Sequence, residues 1–454
     1  MSAYGIKAYG GNMSYYLAVD IDASGGRHTV GWLDGGKIIT DEVYSFRYGV
    51  GTFDGHLVWD THRLLDQVKA GIKEALLKYP QIASMSVDAW GMDYVLLRGD
   101  EEVLPAYACI DPRAEEAVEL VHEIVPREEL YSITGAQPRS LNTVYQLYAD
   151  KLDDRLDGVT DFLMMPEYVV YRLTGIKRKE LTNASAGALV NVNTLQLDEN
   201  IFSWLGFPQE LAARLYSPGE LVGRLTDEVA AEVGGNLDVV LCATHGTASA
   251  VEAIDIETGA PCIYTGGCSL LGAKLNEAVT DAESLLSGFS NEWGVGYFIY
   301  VKSVAGMRFI KSLCDETCPD LDYLTISRMA EESSYKEIFD VGAQDFAAPE
   351  SMKGAIDAYF ASQGKPAPRT PADYFNSAYH SIAASYDDAI RDLELNTDRE
   401  YSEVYVTGFG AKSAYLNDLI EKYTGKRVIA MPIEAAAIGN IKVQMLRAGE
   451  LSDG

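Results

Sequence analysis

The stretch LDVVLCATHGTASAVEAID (residues 237–255) joins an apolar strand pattern, a turn of small residues and an apolar helix pattern in immediate succession. The strand is expected to end at Ala243 and to lead into the turn at residues 244–247. Ligands of open α/β sheets bind just beyond the carboxyl ends of strands, so this turn is a predicted active-site floor. His245 can supply a polar contact there, whereas Gly246 supplies no side chain where catalysis would profit from a carboxylate.

The length of the chain, 454 residues, exceeds what one hydrophobic core usually serves, so two domains are expected. A composition of 47% hydrophobic and 23% charged residues is typical of a globular protein. We predict an N-terminal tail (1–14), a first domain (15–253), a second domain (254–447) and a C-terminal tail (448–454), with a short hinge near 252–260.

The charge of the chain limits its partners. A formal net charge of −30, from 67 acidic and 37 basic residues, argues against nucleic acid and against an anionic membrane surface. A small anionic ligand stays compatible with it, because backbone N–H groups and a metal ion can hold a phosphate. Six dispersed cysteines and the lack of a long apolar run predict a cytoplasmic protein with no membrane span. The oligomeric state is left open.

The first half of the chain begins with three predicted strands within residues 15–46, where Asp34-Gly35 is a hairpin signal. A helix is predicted at 62–79 and a buried parallel strand at 83–88, giving a β-β-β-α-β order. Another apolar helix is predicted at 162–172.

The second half repeats this order, with strands predicted within 260–301, a long amphipathic helix at 374–393 and a strand at 404–407. Such a repeat predicts a duplicated α/β domain with a cleft between the copies.

Three turns of small residues follow strands in this duplicated frame, at 20–27, 265–269 and 408–411. Small residues let backbone N–H groups approach a phosphate, and a carboxylate such as Asp20 can hold a metal ion directly or through water. The alternative is that the turns serve the fold alone, and their spacing does not decide between the two.

The order of motifs along the chain resembles the FGGY carbohydrate kinases and, within that family, the rhamnulokinases. The resemblance covers about residues 15–446. It is carried by AVDIDASGGR (18–27), DAWGMDY (88–94), ITGAQ (133–137), NTVYQL (142–147), THGTASAV (244–251), TGGCSLLG (265–272), FSNEWGV (289–295), KSVAGM (302–307), TGFGA (407–411) and IEAAAIGN (433–440).

The resemblance implies two actin-like, ribonuclease-H-like domains of the sugar kinase/Hsp70/actin type around a central cleft. The first would bind the sugar and the second ATP with Mg²⁺. The reaction of the family transfers the γ-phosphate of ATP to the 1-hydroxyl of L-rhamnulose, and an aspartate accepts the hydroxyl proton.

The resemblance also assigns sites. Gly91 and His245 match sugar-binding positions, and Asp93 and Tyr94 belong to the same sugar loop, where Asp93 either acts on the sugar or braces the loop. Asp20 and Arg27 match the first phosphate motif, with Asp20 as a Mg²⁺ ligand. Further matches, which we assign to shape, are Asn291, Glu292, Gly306, Glu434, Gly439 and Asn440.

The departures from the family pattern lie at ligand-facing positions. Gly246 stands where the family has its catalytic Asp. The nucleotide side carries Gly410 in the third turn and the following exchanges: Asp22 for a glycine, Gly267 and Cys268 for Thr-Trp, Ser303 for Asn, Lys311 for Gln, and Phe409 within a run of glycines.

Loss of a positioned acid–base group typically lowers a rate by about 10²- to 10⁴-fold, so we expect feeble or absent turnover. One alternative is a sugar-binding pseudokinase that acts as a sensor or scaffold. Another is a kinase for a different ketose, with Asp22 or a nearby carboxylate as base.

Overall fold

The computed structural model describes residues 13–254, 260–431 and 435–452. The N-terminal tail predicted at 1–14 and the hinge predicted near 252–260 therefore lie partly outside the described residues, and Glu434 lies wholly outside them.

The strands, in chain order, are β1 (Tyr15–Asp22), β2 (Gly25–Asp34), β3 (Lys37–Arg47), β4 (Gly51–Phe53), β5 (His56–Trp59), β6 (Ile82–Asp88), β7 (Tyr94–Arg98), β8 (Glu101–Val103), β9 (Ala106–Tyr107), β10 (Asp161–Met164), β11 (Lys179–Glu180), β12 (Val190–Asn191), β13 (Gln196–Leu197), β14 (Leu215–Tyr216), β15 (Leu221–Arg224), β16 (Asp238–Val240), β17 (Pro261–Thr265), β18 (Cys268–Leu275), β19 (Phe289–Trp293), β20 (Phe298–Ala305), β21 (Glu403–Gly408) and β22 (Arg427–Ala430).

The α-helices are α1 (Thr61–Lys78), α2 (Glu115–Ile124), α3 (Arg127–Thr134), α4 (Thr143–Leu152), α5 (Met165–Thr174), α6 (Leu181–Ser185), α7 (Glu199–Leu205), α8 (Asp227–Val233), α9 (Gly246–Glu252), α10 (Ala282–Ser287), α11 (Arg308–Thr317), α12 (Tyr323–Glu332), α13 (Met352–Ser362), α14 (Pro371–Thr397), α15 (Ala414–Thr424) and α16 (Ala435–Ala448).

Two six-stranded sheets share the same arrangement of five strands, and the sixth strand lies at opposite edges, β15 beside β16 in the first and β19 beside β20 in the second. The first has the order β15-β16-β6-β1-β2-β3 and the second the order β19-β20-β18-β17-β21-β22. In the first, β1 is antiparallel to β2 and parallel to β6. In the second, β17 is likewise antiparallel to β18 and parallel to β21. The predicted duplicated α/β domain is therefore confirmed.

Local sequence explains the start of the first sheet. Asp34 pairs with Lys37 across the two-residue turn of Gly35 and Gly36, which adopt φ of 56° and 80°. Positive φ at both central residues matches the twist of the flanking strands, and glycine adopts it without strain. The hairpin predicted from this sequence is confirmed.

Two predicted elements differ from the structure. The helix predicted at 162–172 begins only at Met165, because the preceding residues form β10 and pair with β7. An unbroken apolar run is compatible with a buried strand and with a helix, so periodicity could not separate the two.

The other difference concerns β16, which ends at Val240 rather than at Ala243. The residues after it bond to the end of β6 instead, where Ala89 N–H donates to the carbonyl of Thr244 at 2.9 Å.

The last helix joins the two halves of the chain. Although α16 follows the strands of the second sheet, its residues Ala437, Ile441 and Met445 pack against Tyr16 and Ala18 of β1. It also crosses α9 so closely that a Cβ at Gly439 would lie 1.8 Å from the carbonyl oxygen of Ser249. Only glycine permits this approach of two helix backbones.

None of the helices in the described part of the chain is long and apolar enough to cross a lipid bilayer.

A Gly439→Ala variant tests this helix crossing. The added methyl group has to push α16 away from α9, and we expect it to lower the free energy of unfolding by about 2 kcal/mol or more. Urea unfolding followed by circular dichroism measures the effect. Gly49→Ala is the matched control, because a Cβ there has no neighbour nearer than 3.9 Å. Equal stability of the two variants would contradict the close crossing.

Candidate active site

The floor of the site is the contact between the end of β6 and the turn before α9. Gly246 N–H donates to the carbonyl oxygen of Ala89 at 2.9 Å, and α9 begins at Gly246 with His245 as its N-cap residue. A Cβ at position 246 would lie 3.5 Å from the Ala89 carbonyl oxygen and 3.8 Å from Oδ2 of Asp88. These are ordinary contact distances, so the backbone has room for a side chain at Gly246.

Asp88 is the last residue of β6 and is fully buried. Its Oδ1 accepts a hydrogen bond from Nδ2 of Asn440 on α16 at 2.6 Å. Its Oδ2 is buried with no hydrogen-bond partner among the described residues. Burial, and next the charge of Asp20, raise the pKa of the Asp88 carboxyl well above its usual range. The sequence placed Asp88 at the end of a strand but gave it no role.

Asp20 lies beside Asp88, because the two residues are paired across the parallel strands β1 and β6. Arg27 binds Asp20, with Nη2 at 2.8 Å from Oδ2. Burial raises the pKa of Asp20 although Arg27 opposes the shift. The first phosphate motif thus forms a carboxylate–guanidinium pair at the strand end.

Asp22 stands where the family resemblance implies a glycine, and it is also the alternative base named above. In the structure its Oδ1 accepts hydrogen bonds from the backbone N–H and the hydroxyl of Ser24, both at 2.6 Å. It therefore caps its own turn. Its charge still acts across the cleft, because burial first, and then Asp20 and Asp22, raise the pKa of Tyr264 on β17.

The sugar loop approaches His245 closely. A Cβ at Gly91 would lie 3.0 Å from Nε2 of His245, so a side chain there would press on the imidazole. The next residue, Met92, has a φ of 79°, and its carbonyl accepts hydrogen bonds from Thr143 Oγ1 (2.9 Å) and Gln146 Nε2 (3.1 Å) of α4. The structure thus brings together Gly91, His245 and Gly246, and α4 fixes the loop.

Asp93 is buried and braces the loop. Its Oδ2 accepts hydrogen bonds from the indole N–H groups of Trp59 (2.6 Å) and Trp90 (2.7 Å), and its Oδ1 accepts one from Cys109 N–H at 2.6 Å. Burial raises its pKa to about 6, although these hydrogen bonds oppose the shift. This geometry supports the bracing interpretation over contact with a sugar.

Tyr94, predicted to bind sugar, is placed in the interior of the first domain. Its ring is buried in a hydrophobic cluster and its hydroxyl donates to Oδ2 of Asp150 at 2.5 Å. Asp150 also binds Arg113 and Arg155. These contacts hold the Tyr94 side chain in the core, and its contact with a sugar stays a prediction.

A buried carboxylate that the sequence reasoning missed, Glu180, orients His245. Its Oε2 accepts from Thr244 Oγ1 at 2.6 Å and from Thr182 Oγ1 at 2.5 Å, and Thr182 Oγ1 in turn accepts from His245 N–H at 3.2 Å. On the other side, His245 Nδ1 lies 3.1 Å from Oε2 of Glu292 on β19, without hydrogen-bond alignment. No local signal marked its link to the turn at His245, because its partner Thr244 lies 64 residues away.

The second phosphate turn is tied to the start of α11. The carbonyl oxygens of Gly266 and Gly267 accept from the N–H groups of Met307 (2.8 Å) and Arg308 (3.0 Å). A Cβ at Gly267 would meet nothing within 4 Å among the described residues, and Cys268 is exposed. Space is therefore available at the positions where the family carries larger residues.

The third turn lines a cavity of about 250 Å³. Gly410 and Phe409 form one wall, and the ring of Phe409 meets that of Tyr323 edge-on at 4.7 Å. Lys311 is outside this lining and pairs with Asp315 at 2.5 Å on the surface of α11. Ser303 lies half-buried within β20, paired with Leu270. The cavity thus includes Gly410 but neither Ser303 nor Lys311.

The residues present suit a Mg²⁺ ion that is held jointly by a protein carboxylate and by nucleotide phosphates, rather than one enclosed by protein side chains alone. Mg²⁺ is usually held by one or two carboxylates together with substrate phosphates, and Asp20 offers such a carboxylate at the strand end. Within residues 13–254, 260–431 and 435–452, no group of three or more His, Cys, Asp or Glu side chains could hold a metal ion. A Mg²⁺ ion here would need the phosphates of its nucleotide.

The pKa of Asp93 predicts a pH dependence of stability. The folded protein holds this proton up to about pH 6, whereas the ordinary value is 3.8. The folded state thus binds more protons between these values, so stability falls as pH rises through this window, by up to about 3 kcal/mol. Urea unfolding at several pH values should show this loss in the unmodified protein and a smaller loss in Asp93→Asn, because other buried carboxyls with raised pKa values, those of Asp20 and Asp88, remain in the variant. The exposed control Asp54→Asn should keep it.

The chain is similar in sequence to known carbohydrate kinases. The model of the FGGY family of carbohydrate kinases, N-terminal domain, matches residues 15–251. The rhamnulokinase of Oceanobacillus iheyensis is 34% identical over 96% of this chain and 94% of its own length. That of Halalkalibacterium halodurans is 34% identical over 97% of this chain and 95% of its own length.

Solved structures share the fold. Gluconate kinase from Lactobacillus acidophilus superposes with a TM-score of 0.81 at 16% identity, covering 97% of this chain and 91% of its own. Glycerol kinase from Plasmodium falciparum with ADP gives a TM-score of 0.78 at 13% identity, covering 97% and 91%. With two sheets that share a five-stranded arrangement, a matching family model and relatives of this similarity along nearly the whole chain, the protein belongs to the FGGY family of carbohydrate kinases.

Proposed function

We propose that the protein is a ketose kinase that transfers the γ-phosphate of ATP to the 1-hydroxyl of L-rhamnulose or a closely related ketose. The observation that carries the proposal is the meeting of three elements at one edge of the first sheet. These are the sugar loop at Gly91, the histidine at 245 and the Asp20–Arg27 pair. Sugar and phosphate recognition thus lie side by side, as phosphoryl transfer requires.

The sugar side is built to hold a fixed geometry. The backbone of His245 is held by Thr182, which in turn binds Glu180, and the lack of a Cβ at Gly91 avoids a close contact with Nε2 of the imidazole. Asp93 fixes the loop through the two indole groups. Such buried support lets a polyol be bound without reorganisation of the site, which favours both affinity and orientation.

The nucleotide side supports the proposal less directly. The aromatic wall of Phe409 and Tyr323 and the glycine at 410 line a cavity in the second domain, which suits a planar base. Mg²⁺ bound with the nucleotide would neutralise the charge of the transferring phosphate, and Asp20 is the residue that would hold it.

A second candidate function is a sugar-binding pseudokinase that acts as a sensor or scaffold. Gly246 favours it, because the position of the family's base carries no side chain. The exchanges at Gly267, Cys268 and Phe409 favour it as well, since they alter the expected phosphate and nucleotide contacts.

Calorimetry with each ligand separates these candidates. The kinase proposal expects binding of both L-rhamnulose and ATP–Mg²⁺, and phosphorylated sugar in a coupled assay. Sugar binding without ATP–Mg²⁺ binding would support the pseudokinase instead. Neither ligand binding would reject both.

His245→Ala tests the sugar contact. Loss of the imidazole should weaken sugar affinity by about 10-fold or more while leaving ATP–Mg²⁺ affinity unchanged, because one hydrogen bond in a desolvated site is removed. Calorimetric titration measures both. The matched control is His62→Ala, whose imidazole is 65% exposed and contacts Glu102 on the surface. An unchanged sugar affinity in His245→Ala would argue that the sugar binds elsewhere.

Gly246→Asp tests the vacant base position. A Cβ fits there at ordinary contact distance, so the variant should fold. A positioned base contributes about 10²-fold to kcat, so a rise of that order would mean that the unmodified protein works without a base. Gly246→Asn adds nearly the same volume without a proton acceptor and should show no such rise. Equal rates for the two variants would mean that the missing base does not limit turnover.

A further inference from the structure

One buried carboxylate oxygen is left without a partner beside the vacancy at position 246. Oδ2 of Asp88 is buried and accepts no hydrogen bond from any residue in the described part of the chain. Leaving such a group unsatisfied is costly, so its persistence calls for an explanation such as a bound water or a ligand hydroxyl. This orphan oxygen borders the same space that the missing side chain at Gly246 leaves open.

We propose that Asp88 is the proton acceptor of phosphoryl transfer in this protein, in place of the aspartate that is absent at position 246. The inference rests on the proposed kinase function and names the group that carries it out. It makes Asp88 a catalytic residue, which neither the motif resemblance nor the strand pattern indicated.

Distance is the first argument. Among the described residues, Asp88 Oδ2 is the only carboxylate oxygen within 4 Å of the point that a Cβ at 246 would occupy, at 3.8 Å. An aspartate at 246 would carry its carboxylate just beyond that point. The proposal places a hydroxyl that such an aspartate would meet within reach of Asp88, directly or through one water, and either route suffices for general base catalysis.

Orientation is the second argument. Asp88 ends a strand that is paired on both sides, with β1 and with β16, so its backbone is fixed. Its Oδ1 is held at 2.6 Å by Asn440, which leaves Oδ2 as the oxygen that is free to accept a proton. A base that is fixed in this way needs no reorganisation when the reaction occurs.

The other carboxylates near the cleft are engaged or more distant. Asp22 caps the turn at Ser24, Asp20 is paired with Arg27, and Glu180 holds two threonine hydroxyls. Glu292 also has an oxygen without a hydrogen bond, but that oxygen faces Nδ1 of His245 and is not within 4 Å of the Cβ position at 246. Glu292 is therefore the matched control residue for Asp88.

The step balances as follows. The sugar oxygen attacks the γ-phosphorus of the nucleoside triphosphate, a bond between them forms, and the bond from that phosphorus to the β-phosphate oxygen breaks. The hydroxyl proton passes to Asp88 Oδ2, directly or through the water. The products are the sugar phosphate and the nucleoside diphosphate, and Asp88 afterwards loses its proton to solvent. No oxidant or reductant is required.

A double-mutant cycle tests the inference with Asp88→Asn, Gly246→Asp and the double variant. In the unmodified protein, Asp88→Asn should lower kcat by about 10²-fold or more. In the Gly246→Asp background the same change should lower kcat by less than about 5-fold, because the aspartate at 246 then accepts the proton. Sugar affinity by calorimetry and the midpoint of thermal unfolding should not fall in Asp88→Asn. Glu292→Gln should lack this dependence on the residue at 246.

The possible results distinguish a failure of the inference from a failure of the proposed function. Unchanged kcat in Asp88→Asn overturns the inference, and so does an equal loss in both backgrounds, which would indicate a structural role. Turnover by Gly246→Asp but none by the unmodified protein also overturns it, while leaving the kinase site intact. If neither protein phosphorylates the sugar, the proposed function itself fails.

Discussion

The burial of one carboxylate, that of Asp88 at the end of β6, is the constraint on which the site depends. Three segments that are distant in sequence lie against the end of this strand. The turn before α9 bonds to the neighbouring Ala89, α16 supplies Asn440 from the far end of the sequence, and Asp20 lies on the adjacent strand. A buried ionisable group tolerates few arrangements of its neighbours, since each lost partner is costly. The hydrogen bond between Asp88 and Asn440 therefore connects the first sheet to the last helix. In this way it also connects the sugar side to the second half of the chain.

Buried carboxylates serve two different purposes in this protein. Those of Asp93 and Glu180 are saturated with hydrogen bonds and hold the loop at Gly91 and the histidine at 245 in position. That of Asp88 has one oxygen that accepts a hydrogen bond and one that accepts none from the part of the chain that the structure describes. A residue whose acceptors are all occupied acts through its neighbours, whereas one with an acceptor left over can take up a proton or a ligand. The number of hydrogen-bond partners therefore distinguishes a supporting carboxylate from a reactive one, which residue type alone does not.

The glycines show where the fold makes demands and where it does not. A Cβ at Gly439 would lie 1.8 Å from a backbone oxygen, and at Gly408 it would lie 2.6 Å from one. Sterics alone therefore require glycine at both positions. By contrast, Gly246 and Gly267 have room for a side chain. The packing of the described residues around these two positions does not require glycine.

The sequence by itself determined the duplicated α/β domain and the glycine turn at residues 34–36, because alternation, periodicity and turn chemistry are local properties. It also predicted a site at the turn containing His245. It could not separate β10 from α5, since a short apolar run satisfies both patterns. Only the tertiary structure decided that Tyr94 faces the core, that Glu180 supports His245, and that Asp88 lies beside the vacant position. These facts depend on which distant segments meet, and burial and hydrogen-bond saturation exist only once they have met.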